Sequence, residues 1–60
     1  MRTDLIGLTL NEAVDNLKTT NTRYRTIYEG RENVITADYD LNRINLHVND
    51  SGNVIEVTLG

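Results

Sequence analysis

The residues of this chain whose side chains could do chemistry are few and lie far apart in the sequence. There is one histidine, His47, and no cysteine, so a zinc site is not expected. Asp38 and Asp40, on either side of Tyr39, are the nearest approach to an acidic pair. Catalytic carboxylates work inside a concave pocket, and a 60-residue chain with one thin core rarely forms one. We therefore expect no enzymatic activity, no metal and no cofactor.

The basic residues give no sign of a surface for nucleic acid or for a membrane. The net charge is −3, and the five arginines and one lysine are scattered. Arg23, Arg25 and Arg31 come closest to a patch, and we interpret them as a solvated strand face rather than an anion site. No stretch reaches the roughly 20 apolar residues that span a bilayer. Residues 1–4 lack the apolar run of a signal peptide, so we expect a cytoplasmic location, with export by another route left open.

The connection over residues 31–42 has an unusual composition. It contains neither glycine nor proline, yet it carries Val34, Ile35, Tyr39 and Leu41. Connections of about 12 residues without secondary structure are uncommon in compact domains and are usually functional or disordered. Because β-branched residues argue against a flexible tail, we interpret this segment as an extended loop that a protein partner grips.

A single helix is predicted before that loop. Thr9-Leu-Asn-Glu12 is a capping box, in which the threonine hydroxyl and the glutamate side chain each bond to the other residue's backbone amide. An apolar stripe at helical spacing runs from Leu10 to Leu17. The pattern predicts a helix over residues 9–19, ending where Thr19-Thr-Asn21 favours a turn.

Three strands are predicted after the helix, over residues 22–28, 44–49 and 54–59. The turn signal Asn49-Asp-Ser-Gly-Asn53 joins the last two as an antiparallel hairpin. Residues 1–60 are therefore expected to form a single α+β domain, with one helix packed on a small three-stranded mixed sheet and a long exposed loop. The predicted core consists of Leu10, Ala13, Val14, Leu17, Ile44, Leu46, Val48, Ile55 and Val57, with Leu5, Ile6 and Leu8 closing one end.

The order of these motifs resembles the potato inhibitor I family of small serine-protease inhibitors. Asp4-Leu-Ile-Gly7 followed by Leu8-Thr-Leu-Asn-Glu-Ala13 is similar to the opening of that family. The stretches Val34-Ile-Thr-Ala-Asp-Tyr39 and Asn42-Arg-Ile-Asn-Leu-His-Val48 resemble its inhibitory loop and the strand that follows. The fungal and bacterial elastase-inhibitor branch is closer still.

The resemblance implies a protease-binding loop made of Val34, Ile35, Thr36, Ala37, Asp38, Tyr39 and Asp40. The resemblance also implies that the scissile bond lies between Ala37 and Asp38, and that the Ala37 side chain enters the primary specificity pocket of the protease. Arg43 matches an arginine that supports the loop from below. Asn45 stands where the family commonly has a second supporting arginine, so this support differs here.

Two other functions remain open. The scaffold could serve as a non-inhibitory intracellular or viral binding module, which holds a partner, a ligand or copies of itself as a homo-oligomer. Tyr24, Ile27 and Tyr28 favour self-association, because they cannot all share one face of a strand. The run Gly7-Leu-Thr-Leu-Asn-Glu-Ala13 also resembles the start of wall-binding modules in bacterial serine/threonine kinases, but those carry several prolines and this chain has none.

Overall fold

The computed structural model describes residues 2–33 and 40–60. It contains a short 3-10 turn at Thr3–Leu5, then α1 (Leu10–Thr19), β1 (Arg23–Tyr28), β2 (Arg43–Val48) and β3 (Val54–Leu59). The strands lie in the order β1-β2-β3, with β1 parallel and β3 antiparallel to β2. The predicted α+β class, one helix with a mixed three-stranded sheet, is confirmed.

The helix begins and ends where its sequence predicts. Thr9 Oγ1 accepts from the Glu12 amide at 3.2 Å, and a Glu12 carboxylate oxygen accepts from the Thr9 amide at 3.0 Å, which completes the capping box. At the other end Asn21 has a φ of +53°. This left-handed residue lets the Thr22 amide bond to the Leu17 carbonyl at 2.9 Å and turns the chain into β1.

The core lies between α1 and one face of the sheet. Leu17 and Leu46 are fully buried, and Leu5 closes one end as expected. The expectation that Ile6 also closes this end is wrong, because Ile6 is 44% exposed. Leu8, Leu10 and Val14 are only partly buried and pack against this cluster. The buried members of the cluster are Leu5, Ala13, Leu17, Ile44, Leu46, Val48, Val54 and Val57.

The predicted burial of Ile55 is wrong. Val48 pairs with Val54, but its neighbour His47 pairs with Glu56, so Ile55 is an extra residue in β3. This β-bulge puts two consecutive residues on the outside and shifts the alternation. Val54 is therefore 1% exposed while Ile55 is 38% exposed.

The faces of β1 are settled by its parallel register with β2. Tyr24 and Tyr28 pair with Ile44 and Val48 and so lie on the helix side, whereas Ile27 pairs with His47 on the opposite side. The expectation that these three residues cannot share a face is confirmed. The two tyrosines lie on β1, an outer strand of the sheet that the described residues form, and remain 37% and 41% exposed.

Candidate functional site

Most of the predicted loop lies outside the described residues. The described structure ends at Asn33 and resumes at Asp40. It therefore says nothing of Val34, Ile35, Thr36, Ala37, Asp38 and Tyr39, and the candidate site must be built from the residues that flank and support this segment.

The segment leaves the scaffold at Asn33, whose side chain is tied to the end of β1. Asn33 Oδ1 accepts from the Tyr28 amide at 2.9 Å, and Asn33 Nδ2 donates to the carbonyls of Tyr28 at 2.9 Å and Arg31 at 3.1 Å. The side-chain amide of Asn33 thus hydrogen-bonds both the N–H and the carbonyl of Tyr28, as the backbone of a neighbouring strand would. Gly30, with a φ of +76°, allows the tight turn that brings Asn33 back to the strand. This is the first anchor of the segment.

The second anchor is Asp40, at the other end of the segment. Its carboxylate forms an ion pair with Arg23, the first residue of β1, and accepts from the Asn42 amide at 2.9 Å. Its carbonyl accepts from the Arg43 amide at 2.9 Å, which closes a turn into β2. Both anchors therefore hold the segment to opposite ends of the same strand, β1.

Polar side chains form a hydrogen-bonded row across the face of the sheet opposite the helix. Arg25, Asn45 and Thr58 are in register on β1, β2 and β3. Arg25 Nε donates to Asn45 Oδ1 at 3.1 Å, and Asn45 Nδ2 donates to Thr58 Oγ1 at 3.3 Å. Because arginine can only donate, it fixes which way the Asn45 amide points. We call these three residues the polar row.

His47 joins the polar row through Thr58. Its Nε2 lies 2.9 Å from Thr58 Oγ1, and the ring is half-buried. His47 therefore lies on the polar face of β2, where Thr58 is its hydrogen-bond partner.

Two guanidinium groups converge on one backbone oxygen beside the polar row. Arg25 Nη2 donates to the Gly60 oxygen at 3.3 Å and Arg43 Nε donates to the same atom at 3.1 Å. Arg43 and Asn45 are only 8% and 5% exposed, which is unusual for an arginine. The Gly60 amide also donates to the Arg43 carbonyl at 3.1 Å, so the oxygen is held in place.

The guanidinium of Arg25 is left with an unsatisfied donor. Its Nη1 is buried and has no hydrogen-bond partner. Among the described residues no carboxylate bonds to Arg25. A buried donor without a partner costs free energy, and more so when it carries charge.

Arg25 is the residue that sequence reasoning missed. Arg23 and Arg31 are exposed, as the interpretation of solvated arginines expects, whereas Arg25 is half-buried and departs from it. Arg23 pairs with Asp40, Arg25 enters the polar row, and the Arg31 guanidinium lies 5.6 Å from the centre of the Tyr28 ring. The sequence alone does not single out Arg25, because its contact with Asn45 follows only from the pairing of β1 with β2.

Other features of the described structure are weaker candidates for a functional site. A concavity of about 330 Å³ beyond the ends of β1 and β2 is lined by Glu29, Gly30, Asn49, Asp50 and Ser51. No group of three or more histidine, cysteine or acidic residues within residues 2–33 and 40–60 could hold a metal ion. Over the same residues, no helix has the length and apolar character needed to cross a bilayer.

Comparison with known proteins gives no independent assignment. No protein-family model matches the chain, and no curated protein matches it. Function is therefore inferred from the two anchors, the polar row and the sequence of the segment between the anchors.

Proposed function

We propose that this chain inhibits a serine protease of the subtilisin or elastase type. Residues 34–40 would lie along the enzyme's cleft, with the bond between Ala37 and Asp38 at the catalytic centre. The observation that supports the proposal is the way the scaffold holds this segment. Asn33 and Asp40 are bonded to β1 on either side of it, and Arg43 is buried and Arg25 half-buried on the same sheet.

The distance between the anchors fits an extended inhibitory segment. Asn33 is bonded at the last residue of β1 and Asp40 at the first. Those two positions are about 16 Å apart at the rise of a parallel strand. The seven Cα–Cα steps from Asn33 to Asp40 reach about 25 Å at most. An extended peptide is the form in which a chain adds to the edge of another protein's backbone.

Such anchoring explains how a segment could inhibit rather than be digested. A peptide already held in its bound shape loses less conformational entropy on binding, which raises its affinity. After cleavage, both new ends would remain tied to β1, so the bond could re-form instead of releasing two fragments. Ala37 has a small side chain, which fits a shallow specificity pocket better than a deep aromatic one.

The test is to measure inhibition constants and cleavage products against subtilisin, elastase and chymotrypsin. Ala37→Leu should shift selectivity toward chymotrypsin, because that side chain would fill the pocket. Arg43→Ala should turn the inhibitor into a substrate, since the segment loses a buried support. Arg31→Ala is the matched control, because it removes an exposed arginine outside the polar row and should leave inhibition unchanged.

Digestion of the parent chain between Arg31 and Asn42, with no measurable inhibition of any of the three enzymes, would contradict the proposal. Equal inhibition by the parent and Arg43→Ala would show that the buried arginine does not serve the segment.

A second candidate is a binding module that holds copies of itself. The observation that favours it is the position of β1 at the edge of the sheet formed by the described residues, where it carries Tyr24 and Tyr28 at 37% and 41% exposure. Open edge strands pair readily with strands of other chains. Sedimentation at tens of micromolar would distinguish the two candidates. A monomer that inhibits supports the first, and a dimer that Tyr24→Glu dissociates supports the second.

A further inference from the structure

The backbone groups on the outer side of β1 belong to alternate residues. The Glu29 amide donates to a β2 carbonyl at 2.9 Å, so this residue faces β2. Because successive residues of a strand point their backbone groups to opposite sides, those of Tyr24, Thr26 and Tyr28 point away from β2. The Asn33 side chain reaches the Tyr28 amide and carbonyl from that outer side. No described residue bonds to the outward groups of Tyr24 or Thr26.

The sequence of β1 is complementary to itself when the same strand of a second copy runs antiparallel beside it. With Thr26 opposite Thr26 of the second copy, the outward backbone groups of the two strands meet. Tyr24 then lies opposite Tyr28 on the helix side, where the two residues are 37% and 41% exposed. On the other face of the sheet Arg23 lies opposite Glu29, and both are exposed. Aromatic pairs and pairs of opposite charge stabilise adjacent strands.

Charge and aromatic pairing select this alignment over its neighbours. Centring the two strands on Arg25 would set Arg25 opposite Arg25, and like charges directly opposite each other destabilise a sheet. Centring them on Ile27 would set Tyr24 opposite Gly30, which removes the aromatic pairs. A centre between two residues would turn the outward groups of one strand toward residues whose own groups face β2. The alignment on Thr26 avoids all three defects.

We propose that β1 pairs antiparallel with β1 of a second copy of this chain, centred on Thr26, and that Arg23 and Glu29 fix the alignment. One sheet then runs through both copies, with both helices on the same side and the tyrosines at the seam between the two β1 strands. Arg23 also pairs with Asp40 of its own chain, but its side chain is 70% exposed and its guanidinium has further donors. The inference rests on the second candidate function, because it specifies how the copies are held.

Asn33 competes with the second copy for the backbone of Tyr28. In the single chain its side chain bonds to the Tyr28 amide and carbonyl, which are the groups that Tyr24 of the second copy reaches in this alignment. Groups that cover an edge strand are a common means of limiting strand addition. Asn33→Ala should therefore lower the dissociation constant of the dimer at least about fivefold, since it frees these groups in both copies. An unchanged or higher dissociation constant would overturn the alignment.

Charge exchange across the seam tests the alignment directly, with dissociation constants measured by sedimentation equilibrium at low salt. Glu29→Arg sets like charges opposite each other at both ends of the seam and should raise the dissociation constant at least about tenfold. Arg23→Glu should do the same. An equimolar mixture of the two variants should dimerise about as well as the parent, because each pair across the seam then joins opposite charges.

The matched control is Glu32→Arg, which makes the same change of charge as Glu29→Arg at an exposed residue outside β1. It should leave the dissociation constant unchanged. A mixture of Glu29→Arg and Arg23→Glu chains that dimerises no better than either variant alone would overturn the inference. Restored dimerisation in the mixture also shows that both variants are folded.

Amide hydrogen exchange separates this inference from the candidate function on which it rests, and the protease assays decide the inhibitor proposal separately. The Tyr24 and Thr26 amides point away from β2, so their exchange should slow at least about tenfold as the concentration passes through the dissociation constant, while the amides of β3 do not respond. A dimer in which these two amides exchange as in the monomer would leave the second candidate standing and overturn the alignment. A parent chain that stays monomeric at millimolar concentration would refute both.

Discussion

The β-bulge in β3 determines which of two adjacent residues, Val54 or Ile55, is buried, and substitutions at these two positions test it. Regular alternation would bury Ile55 and expose Val54, whereas the structure does the reverse. Val54→Thr introduces a hydroxyl without changing the shape of the side chain. The hydroxyl is buried if β3 has the bulge and exposed if β3 alternates regularly. At position 55 the equivalent comparison is between Ile55→Val and Ile55→Thr. Val57 is buried under both interpretations, so Val57→Thr is the positive control.

The expected magnitudes follow from the exposure of each position. Val54 is 1% exposed, and burying a hydroxyl without a compensating hydrogen bond costs about 1–3 kcal/mol in proteins. Ile55 is 38% exposed, so the hydroxyl added between Ile55→Val and Ile55→Thr stays hydrated and should change the free energy of unfolding by less than about 0.5 kcal/mol. A domain of this size has a total stability of about 3–9 kcal/mol, so the difference is large enough to measure.

The assay is equilibrium unfolding in urea, followed by circular dichroism for all five chains. The comparison is valid where the slope of the free energy against urea concentration is unchanged, because an altered slope signals a changed native or denatured state. The bulge would be contradicted if the added hydroxyl lowered the free energy of unfolding by at least about 1 kcal/mol at position 55 and left it unchanged at position 54. That result would mean that β3 alternates without a bulge and that Ile55 belongs to the core.

The remaining predictions concern the core and the helix cap. Leu46→Ala should destabilise by about 2–5 kcal/mol because Leu46 is fully buried in the central strand, and a loss near zero in urea unfolding would place it outside the core. Thr9→Ala should destabilise by about 1 kcal/mol through loss of the cap, and an unchanged midpoint of thermal unfolding would contradict this. The pKa of Glu12 is lowered chiefly by the hydrogen bond from the Thr9 amide and next by the one from the Thr9 hydroxyl. The ionised carboxylate therefore stabilises the folded chain above its ordinary pKa of about 4.3. That stabilisation is lost as the pH falls through the lower pKa of the folded state. Glu12→Gln keeps the acceptor but does not titrate, so the stability difference between parent and variant should shrink in acid, and a difference independent of pH would refute this.

The elements of the fold could be predicted because their signals are local. The capping box fixes the start of α1 within one turn, and the turn from Asn49 to Asn53 closes on itself. Asn49 Oδ1 accepts from the amides of Ser51 and Asn53, and Gly52 adopts a φ of +81°. Each such signal involves residues only a few positions apart, so a sequence read in order contains all of it.

The burial of β3 could not be predicted because a bulge depends on the partner strand. Val54, Ile55, Val57 and Leu59 are all apolar, so the sequence offers two apolar faces, and alternation alone selects Ile55. The structure selects Val54, which pairs with Val48 at the closed end of the hairpin. The extra residue is then taken up at Ile55. The Val54 amide donates to the Leu8 carbonyl and the Val54 carbonyl accepts from the Gly7 amide, both at 2.8 Å, so this choice depends on residues outside β3.

The candidate site was only half predictable for the same reason. Arg43 and Asn45 could be placed from the resemblance and the strand pattern, and both are buried on the polar face of β2. Arg25 could not, because its role depends on the pairing of β1 with β2, 20 residues further along the chain. Nothing near Arg25 in the sequence distinguishes it from the exposed Arg23 or Arg31.

Because the polar row depends on strand register, its geometry also depends on the apolar core on the other face of the sheet. Arg25 meets Asn45 only because Thr26 pairs with Leu46 and Tyr24 with Ile44 on the opposite face. A slip of one residue would turn Arg25 toward the helix and a tyrosine into the polar row. The apolar residues that bury β2 against α1 therefore also specify where the guanidinium lies. A core substitution that loosens the pairing of β1 with β2 should therefore disrupt the polar row, even though the substituted residue lies on the far side of the sheet.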